Sequence, residues 1–175
     1  MGDFWVFGYG SLMWRPGFAH VETRRARLFG YRRALCIRSH VHRGTPERPG
    51  LVLGLDRGGS CTGLAFRVPE ALRDEVIAYL RSRELVTNVY RERWLPARLD
   101  DDGARVPMLS YVADPAHPQY AGPLNVEEAV AAVRGAAGHS GPNEAYILAT
   151  VEHLRALGIR DHWLEAVAER LRLEE

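Results

Sequence analysis

A chain of 175 residues has the size of one domain and is long enough to bury a hydrophobic core. Hydrophobic residues make up 46% of it and charged residues 26%, proportions that are ordinary for a globular protein and argue against disorder. The formal net charge of +1 gives no reason to expect a nucleic acid or a membrane as a partner. We therefore expect a single domain over residues 1–175.

The two cysteines, Cys36 and Cys61, both stand in apolar runs. Two cysteines do not make a disulfide framework, and no CxxC pattern indicates a redox or zinc site, so we predict buried thiols. The chain begins with a short apolar strand and no basic signal segment, and no run approaches the ~18 apolar residues of a membrane span. These features favour a reducing, cytoplasmic location.

The first part of the chain has the patterns of strands. Residues 4–9 predict a short buried strand that runs into a glycine-containing turn. Alternating apolar and basic residues over 24–39 predict more strand, and residues 42–50, dense in Gly and Pro, predict a loop. Two apolar runs on either side of residues 56–60 predict a hairpin, whose turn holds two adjacent glycines.

Helical patterns dominate the later part. Pro69 is well placed to open a helix over 69–85, and two strands are predicted on either side of the Asp-Asp-Gly turn at residues 101–103. Three helical patterns follow, with Asn125 and Asn143 as N-caps and Gly158 as a C-cap. The order of elements predicts an α+β fold with strands in the first two-thirds and a helical C-terminal third.

A local excess of arginine marks residues 24–43, where few acidic residues stand between the basic ones. Its members are Arg24, Arg25, Arg27, Arg32, Arg33, Arg38 and Arg43. We interpret most of them as solvated strand faces; the alternative is a basic rim that attracts an anionic substrate.

The run Tyr9-Gly10-Ser11-Leu12 follows the first predicted strand directly. A glycine-containing turn at a strand end can aim consecutive backbone N–H groups into one concavity, which then binds a carboxylate or phosphate. The alternative is a tight turn whose serine caps a neighbouring backbone group. The run is neither GxGxxG nor a phosphate loop with lysine, so nucleotide binding is disfavoured.

Glu84 is the acidic residue that the helical pattern singles out. At ~100° per residue it falls within the arc formed by the apolar positions of its helix. A carboxylate there is costly to bury, and desolvation would raise its pKa towards neutrality, which suits a general acid or base. The alternative is an ion pair with an arginine at the fraying end of the helix. Glu75 lies outside the arc and is the second choice.

Other side chains offer weaker cases for chemistry. His40 and His42 have no third ligand at a persuasive spacing, so no metal site is expected. Ser11 lacks the elbow of G-x-S-x-G and an identifiable His/Asp pair. Tyr111 and Tyr120 are interpreted as core or rim residues, although a phenol that lines a pocket stays open.

Five segments of the chain, in order, resemble the ChaC-like γ-glutamylcyclotransferases nearly end to end. They are WVFGYGSLMW (Trp5–Trp14), HRGTPERPG (His42–Gly50), AYLRSRE (Ala78–Glu84), YVADPAHPQYAGPL (Tyr111–Leu124) and GHSGPNEAYI (Gly138–Ile147).

This resemblance implies a small mixed β-barrel with helices around it and cleavage of glutathione, or a related γ-glutamyl peptide, to 5-oxoproline and Cys-Gly. It implies no metal or organic cofactor. The family's catalytic glutamate corresponds to Glu84, within the pair Arg83-Glu84. Its γ-glutamyl-binding loop corresponds to Gly8, Tyr9, Gly10, Ser11, Leu12 and Met13.

The segment Leu85–Tyr90 departs from the glycine-rich turn of some relatives, and that departure bears on substrate preference. One alternative therefore keeps the fold and takes γ-glutamyl amines or γ-glutamyl amino acids as substrates. An alternative of another class is a non-catalytic module on the same fold that binds a small acidic ligand or a protein. The oligomeric state is not predicted.

Overall fold

A computed structural model describes residues 2–173 and has an α+β fold built on a closed five-stranded barrel. The strands are β1 (Phe4–Gly8), β2 (Glu22–Ser39), β3 (Gly50–Val68), β4 (Tyr90–Leu99) and β5 (Arg105–Ala113). Their order around the barrel is β1-β3-β2-β4-β5. Parallel pairing of β1 with β5 closes it, whereas β1 pairs with β3, and β4 with β2 and β5, in the antiparallel sense. The predicted mixed barrel is confirmed.

The chain divides into two compact units. The first comprises Met1–Arg33 and Leu55–Asp114, and the second comprises Ala34–Gly54 and Pro115–Glu175. Strands β2 and β3 each contribute residues to both units. That residues 1–175 behave as one domain stays a prediction.

In the first unit, helix α1 (Arg73–Glu84) follows a 3₁₀ turn at Glu70–Leu72. The helix therefore begins later than Pro69, which precedes the 3₁₀ turn. Two apolar clusters form the core of this unit. One contains Phe7, Ala26, Leu28, Leu55, Cys61, Ala65, Ala97, Leu99, Met108 and Val112. The other contains Phe4, Val6, Leu12, Val68, Val76, Leu80, Leu109 and Tyr111.

The second unit holds the remaining helices, α2 (Val126–Val133), α3 (Asn143–Ala156) and α4 (His162–Leu173). Helix α4 packs against both α2 and α3. The strands β6 (Ala137–Gly138) and β7 (Gly141–Pro142) form a small antiparallel ribbon just before α3. The predicted helical C-terminal third is confirmed. Across residues 2–173, no helix has both the length and the apolar character that crossing a bilayer requires.

The predicted hairpin at residues 56–60 is wrong, because β3 continues through them as one strand. Gly58 and Gly59 do have positive φ angles, 101° and 67°, but they bend the strand and do not reverse it. The side chain of Arg32 on β2 lies against both glycines and pairs with Asp56 at 3.2 Å. The bend thus leaves room for an arginine of the neighbouring strand.

The predicted helix caps have mixed outcomes. Asn125 is confirmed as the N-cap of α2, in a capping box with Glu128. Gly158 follows the end of α3 with φ 71°, as a C-terminal glycine should. Asn143 is not an N-cap, because it lies inside α3 and its side chain bonds the backbone of Leu51 on β3. Its amide accepts from the Leu51 N–H at 2.8 Å and donates to the Leu51 carbonyl at 2.9 Å.

Candidate active site

Glu84 is the last residue of α1, and its side chain is mostly buried, with 16% of it exposed. Val76 and Leu80, on the same helix, are buried in the second apolar cluster of the first unit. The helical periodicity that predicted a core-facing carboxylate at this position is therefore confirmed. Glu75, the second choice, is exposed on the same helix.

The surroundings of Glu84 favour its protonated form. Burial raises the pKa of the Glu84 carboxyl above its ordinary value of 4.5, since the desolvated carboxylate loses its hydration. The positive charge of Arg83 opposes this shift, and its Nε lies 3.7 Å from Oε1 of Glu84. Burial is the larger effect, so the carboxyl is better suited to exchanging protons near neutral pH than an exposed glutamate is.

The loop predicted to bind substrate follows β1. Gly8 ends that strand, and Ser11–Met13 form a single 3₁₀ turn. The first N–H groups of such a turn have no carbonyl within it to bond, so those of Ser11 and Leu12 are suited to donating hydrogen bonds to an anionic oxygen. Ser11 is exposed, whereas the side chains of Leu12 and Met13 are buried and fasten the turn to the core.

Arg83 connects the loop to the helix that carries Glu84. Its Nη2 donates to Oγ of Ser11 at 2.9 Å. Its Nη1 donates to the carbonyls of Arg15 at 2.8 Å and Pro16 at 3.3 Å, and to the hydroxyl of Tyr79 at 3.2 Å. One planar guanidinium therefore holds the segment after the turn at a fixed position relative to the Glu84 carboxyl.

Close packing near the loop explains two glycines outside it. A Cβ at Gly63 on β3 would lie 2.2 Å from the Gly8 carbonyl, so only glycine permits the two strands to approach this closely. Gly17 has φ 73°, and a Cβ there would lie 2.1 Å from the Tyr79 hydroxyl. Tyr79 can therefore reach Arg83 only because residue 17 has no side chain.

Arg33 is one of the seven arginines of which most are interpreted as solvated strand faces, and it is buried, with 7% of its surface exposed. Its Nε donates to the Tyr9 carbonyl at 2.6 Å, and its Nη2 donates to the Thr62 carbonyl at 2.7 Å. Gly30, at φ 89°, interrupts the alternation of β2, so even positions are buried before it and odd positions such as Arg33 after it. The buried Arg33 side chain therefore supports the loop through its hydrogen bond to the Tyr9 carbonyl.

A second carboxylate lies in the same unit, and the sequence did not indicate it. Glu92 on β4 accepts two hydrogen bonds from Arg81, at 3.1 and 3.0 Å. It also accepts one from the hydroxyl of Tyr111 at 2.8 Å. The pKa of Tyr111 is raised by burial first, then by the bond to Glu92 and by the charge of Glu84. Tyr111, 2% exposed, is thus a core residue that stays a neutral hydrogen-bond donor and is electrostatically coupled to Glu84.

The remaining candidates lie elsewhere or carry no chemistry that the structure supports. Cys36 and Cys61 are buried thiols, as predicted. His42 bonds to the hydroxyl of Ser140 at 3.1 Å in the second unit. Within residues 2–173, no group of three or more His, Cys, Asp or Glu side chains is arranged to hold a metal ion.

Comparison with known proteins gives consistent matches over almost the whole chain. The model of a family described as ChaC-like protein matches residues 4–174. The glutathione-specific γ-glutamylcyclotransferase of Escherichia coli (strain K12) is 36% identical over 163 residues, which cover 93% of this chain and 70% of that protein. Glutathione-specific γ-glutamylcyclotransferase 1 of Mus musculus is 34% identical, and the match covers 94% of this chain and 76% of that protein. γ-Glutamylcyclotransferase 2-3 of Arabidopsis thaliana is 32% identical, and the match covers 96% of this chain and 88% of that protein.

The fold also matches a solved structure. A crystal structure of the yeast γ-glutamyl cyclotransferase specific to glutathione has a TM-score of 0.85 with this chain, at 22% identity. The match covers 99% of this chain and 97% of that one. At that identity the likeness bears on the fold alone, and it agrees with the barrel described above.

Proposed function

Because this chain belongs to the ChaC-like family, we propose that it is a γ-glutamylcyclotransferase that converts glutathione to 5-oxoproline and Cys-Gly, with Glu84 as general base and acid. The observation that carries the proposal is the mostly buried Glu84 carboxyl next to Arg83, whose guanidinium donates to Ser11 in the turn at Ser11–Met13. What the relatives act on supports the choice of substrate, and the burial of Glu84 together with the resemblance of the Arg83-Glu84 pair to that of the family supports the choice of catalytic group.

The reaction is an intramolecular substitution. The α-amino nitrogen of the γ-glutamyl group attacks its own γ-carbonyl carbon, and the amide bond to cysteine breaks. The α-ammonium group must lose one proton to become a nucleophile and a second as its nitrogen becomes the lactam N–H. The departing amide nitrogen gains two protons and leaves as the ammonium group of Cys-Gly. A single carboxyl of raised pKa can carry these protons one at a time from the first nitrogen to the second, so the proton balance closes.

The loop would hold the part of the substrate that does not react. The N–H groups of Ser11 and Leu12 are suited to donating hydrogen bonds to the α-carboxylate or to the oxyanion that develops on the γ-carbonyl. Holding the glutamyl chain folded, with its amine against its carbonyl, also lowers the barrier through proximity. Gly8, Tyr9, Gly10 and Met13 shape the loop, and the Arg33 bond to the Tyr9 carbonyl keeps it rigid.

Two further statements belong to the proposal. A small γ-glutamyl peptide is the partner that the site requires, and no step of the reaction as written uses a metal or an organic cofactor. A cytoplasmic location suits a protein whose two cysteines are both buried thiols, because a reducing compartment keeps thiols reduced.

The test follows 5-oxoproline and Cys-Gly by mass after incubation with glutathione, for the wild type, Glu84→Gln and Glu75→Gln. Glu75 lies on the same helix but is exposed, so its variant controls for loss of a helical carboxylate. We expect Glu84→Gln to lower turnover by about 100-fold or more and Glu75→Gln to leave it unchanged.

Two results would change the proposal in different ways. Full turnover by Glu84→Gln would reject the assigned catalytic residue. Wild-type protein that forms 5-oxoproline from γ-Glu-Ala but not from glutathione would reject the assigned substrate, and a protein that binds glutathione without turnover would be a binding module.

A further inference from the structure

Three arginines stand side by side on the outer face of the barrel, across three neighbouring strands. Arg27 on β2 is paired in register with Arg98 on β4, and Arg98 is paired with Arg105 on β5. We call this set the arginine row. The residues before and after Arg27, Ala26 and Leu28, are buried, so Arg27 points outward. Like charges directly opposite each other on a sheet destabilise the pair, which makes such a row unusual.

All three guanidiniums gather on one exposed aromatic ring. Their Cζ atoms lie 5.9 Å (Arg27), 5.4 Å (Arg98) and 5.6 Å (Arg105) from the ring centre of Phe29. Phe29 is a large apolar side chain that remains 43% exposed. The ring holds the three cations together, so their positive charge is concentrated on a small area.

No carboxylate among the described residues neutralises the row. Acidic residues do stand close by along the chain, in the turn between β4 and β5, but other arginines engage them. Arg24 pairs with Asp101 and Asp102, each at 3.0 Å, and Arg25 pairs with Asp100 at 3.7 Å. The charges and hydrogen-bond donors of the arginine row are therefore not engaged by a carboxylate of the described residues, and they are available to a binding partner.

We propose that the arginine row and Phe29 form a docking surface for an acidic segment of a partner protein. Guanidiniums bind carboxylates through two parallel hydrogen bonds, and Arg and aromatic residues are enriched where proteins meet. The next outward position along the paired strands is apolar, with Pro96 opposite Pro107, both exposed. A segment that alternates acidic and apolar side chains matches these two adjacent rows.

Nucleic acid fits this surface less well. Single-stranded nucleic acid is held by aromatic rings whose faces are open for stacking by bases. Here the one aromatic ring of the row is already surrounded by guanidiniums, and the neighbouring positions are prolines. The row is also separate from the residues assigned to catalysis, so its function can be tested while turnover is followed independently.

The test measures binding of a rhodamine-labelled octaglutamate peptide to the full chain by fluorescence anisotropy, at about 50 mM and about 150 mM salt. The row is weakened by Arg27→Gln with Arg105→Gln. A matched control, Arg57→Gln with Arg172→Gln, removes the same charge from two exposed arginines elsewhere. We expect about tenfold weaker binding for the row variant, and binding within about twofold of wild type for the control.

A second variant separates charge from geometry. Arg27→Lys with Arg105→Lys keeps the charge but loses the planar fork, and we expect its affinity to fall between the wild type and the Gln variant. All variants should retain 5-oxoproline formation, and the Gln variant should melt no lower than wild type, because like-charge repulsion is relieved.

Three outcomes would overturn the proposal. The first is no measurable binding of the peptide to the wild type at low salt. The second is an equal loss in the row variant and the control, which would mean that only net charge matters. The third is tighter binding of a thymidylate dodecamer that the row variant abolishes, which would assign the surface to nucleic acid.

Discussion

The guanidinium of Arg83 donates a 2.9 Å hydrogen bond to the hydroxyl of Ser11, a residue 72 positions earlier in the chain. Arg83 also lies next to Glu84, and its Nε is 3.7 Å from that carboxylate. A single side chain therefore has two separable effects: it fixes the loop in place, and its charge lowers the pKa of Glu84 relative to burial alone.

Replacing Arg83 by Gln should impair both effects. We expect kcat/KM to fall about 10- to 100-fold, because the loop is no longer held against the helix. The acid limb of the pH profile should move to higher pH, since loss of the positive charge raises the pKa of Glu84 further, and the reaction needs its deprotonated form. Initial rates of 5-oxoproline formation across about pH 5–9 give both kcat/KM and the position of the acid limb.

The matched control is Arg83→Lys, which keeps the charge and loses the planar fork. Its kcat/KM should fall while its acid limb stays near that of the wild type. An acid limb in Arg83→Gln that coincides with the wild-type limb would contradict the electrostatic part of the argument.

The carboxyl of Glu84 should cost the protein stability at neutral pH. Its folded-state pKa is raised above 4.5, so the folded state binds more protons than the unfolded state once the pH passes that value. The associated stability is fully present below about pH 4.5 and is lost as the pH rises through the folded-state pKa. The melting temperature of Glu84→Gln should therefore exceed that of the wild type, by a margin that grows with pH over this window.

Calorimetry or fluorescence melting of the wild type and Glu84→Gln at several pH values measures this difference in melting temperature. Glu75→Gln, which removes an exposed carboxylate from the same helix, is the matched control for the substitution itself. A Glu84→Gln protein that melts below the wild type at every pH would mean that the carboxylate contributes net stabilisation.

Tyr111 and Glu92 should be energetically coupled. The phenol donates a 2.8 Å hydrogen bond to a carboxylate that Arg81 also holds, in a part-buried environment. Tyr111→Phe should lower the free energy of unfolding by about 1.5–3 kcal/mol, the range for a hydrogen bond to a charged group. Urea titrations of Tyr111→Phe, Glu92→Gln and the double variant form a cycle, and strictly additive effects would show that the bond contributes nothing.

Asn143 should be among the most sensitive polar positions of the second unit. Its side chain satisfies both the N–H and the carbonyl of Leu51, and Asn143 and Leu51 are both fully buried. Asn143→Ala leaves two buried backbone groups without partners, so we expect a loss of about 2–5 kcal/mol in the free energy of unfolding. Asn125→Ala, which removes an ordinary helix cap, should cost about 1 kcal/mol in the same assay.

Periodicity was enough to predict much of the site. The spacing of apolar residues on α1 located a carboxylate on its core-facing side, and the glycine-containing turn after β1 indicated a loop with available N–H groups. Both are properties of consecutive residues, which is why they can be read from a single sequence. The roles of Glu84 and of Gly8–Met13 in catalysis and binding remain predictions.

What the sequence missed depends on contacts between distant residues. The burial of Arg33 was not predicted, because a single positive-φ glycine, Gly30, reverses the alternation along β2. The hairpin was wrong because two glycines that suit a turn also suit a bend against Arg32. Asparagine is a residue type common at N-caps, but the hydrogen-bond partner of Asn143 is Leu51, 92 residues away. Local patterns carry no information about such partners.

The bond between Asn143 and Leu51 also constrains when the second unit can fold during synthesis. Its first segment, Ala34–Gly54, leaves the ribosome long before Asn143 does, because the intervening residues 55–114 belong to the first unit. Until Asn143 emerges, the Leu51 backbone has to rely on water or on another chain for its hydrogen bonds. The nascent protein therefore carries an unpaired backbone segment at Leu51 until Asn143 emerges, and this interval is when chaperones or slow elongation have the greatest effect on its yield.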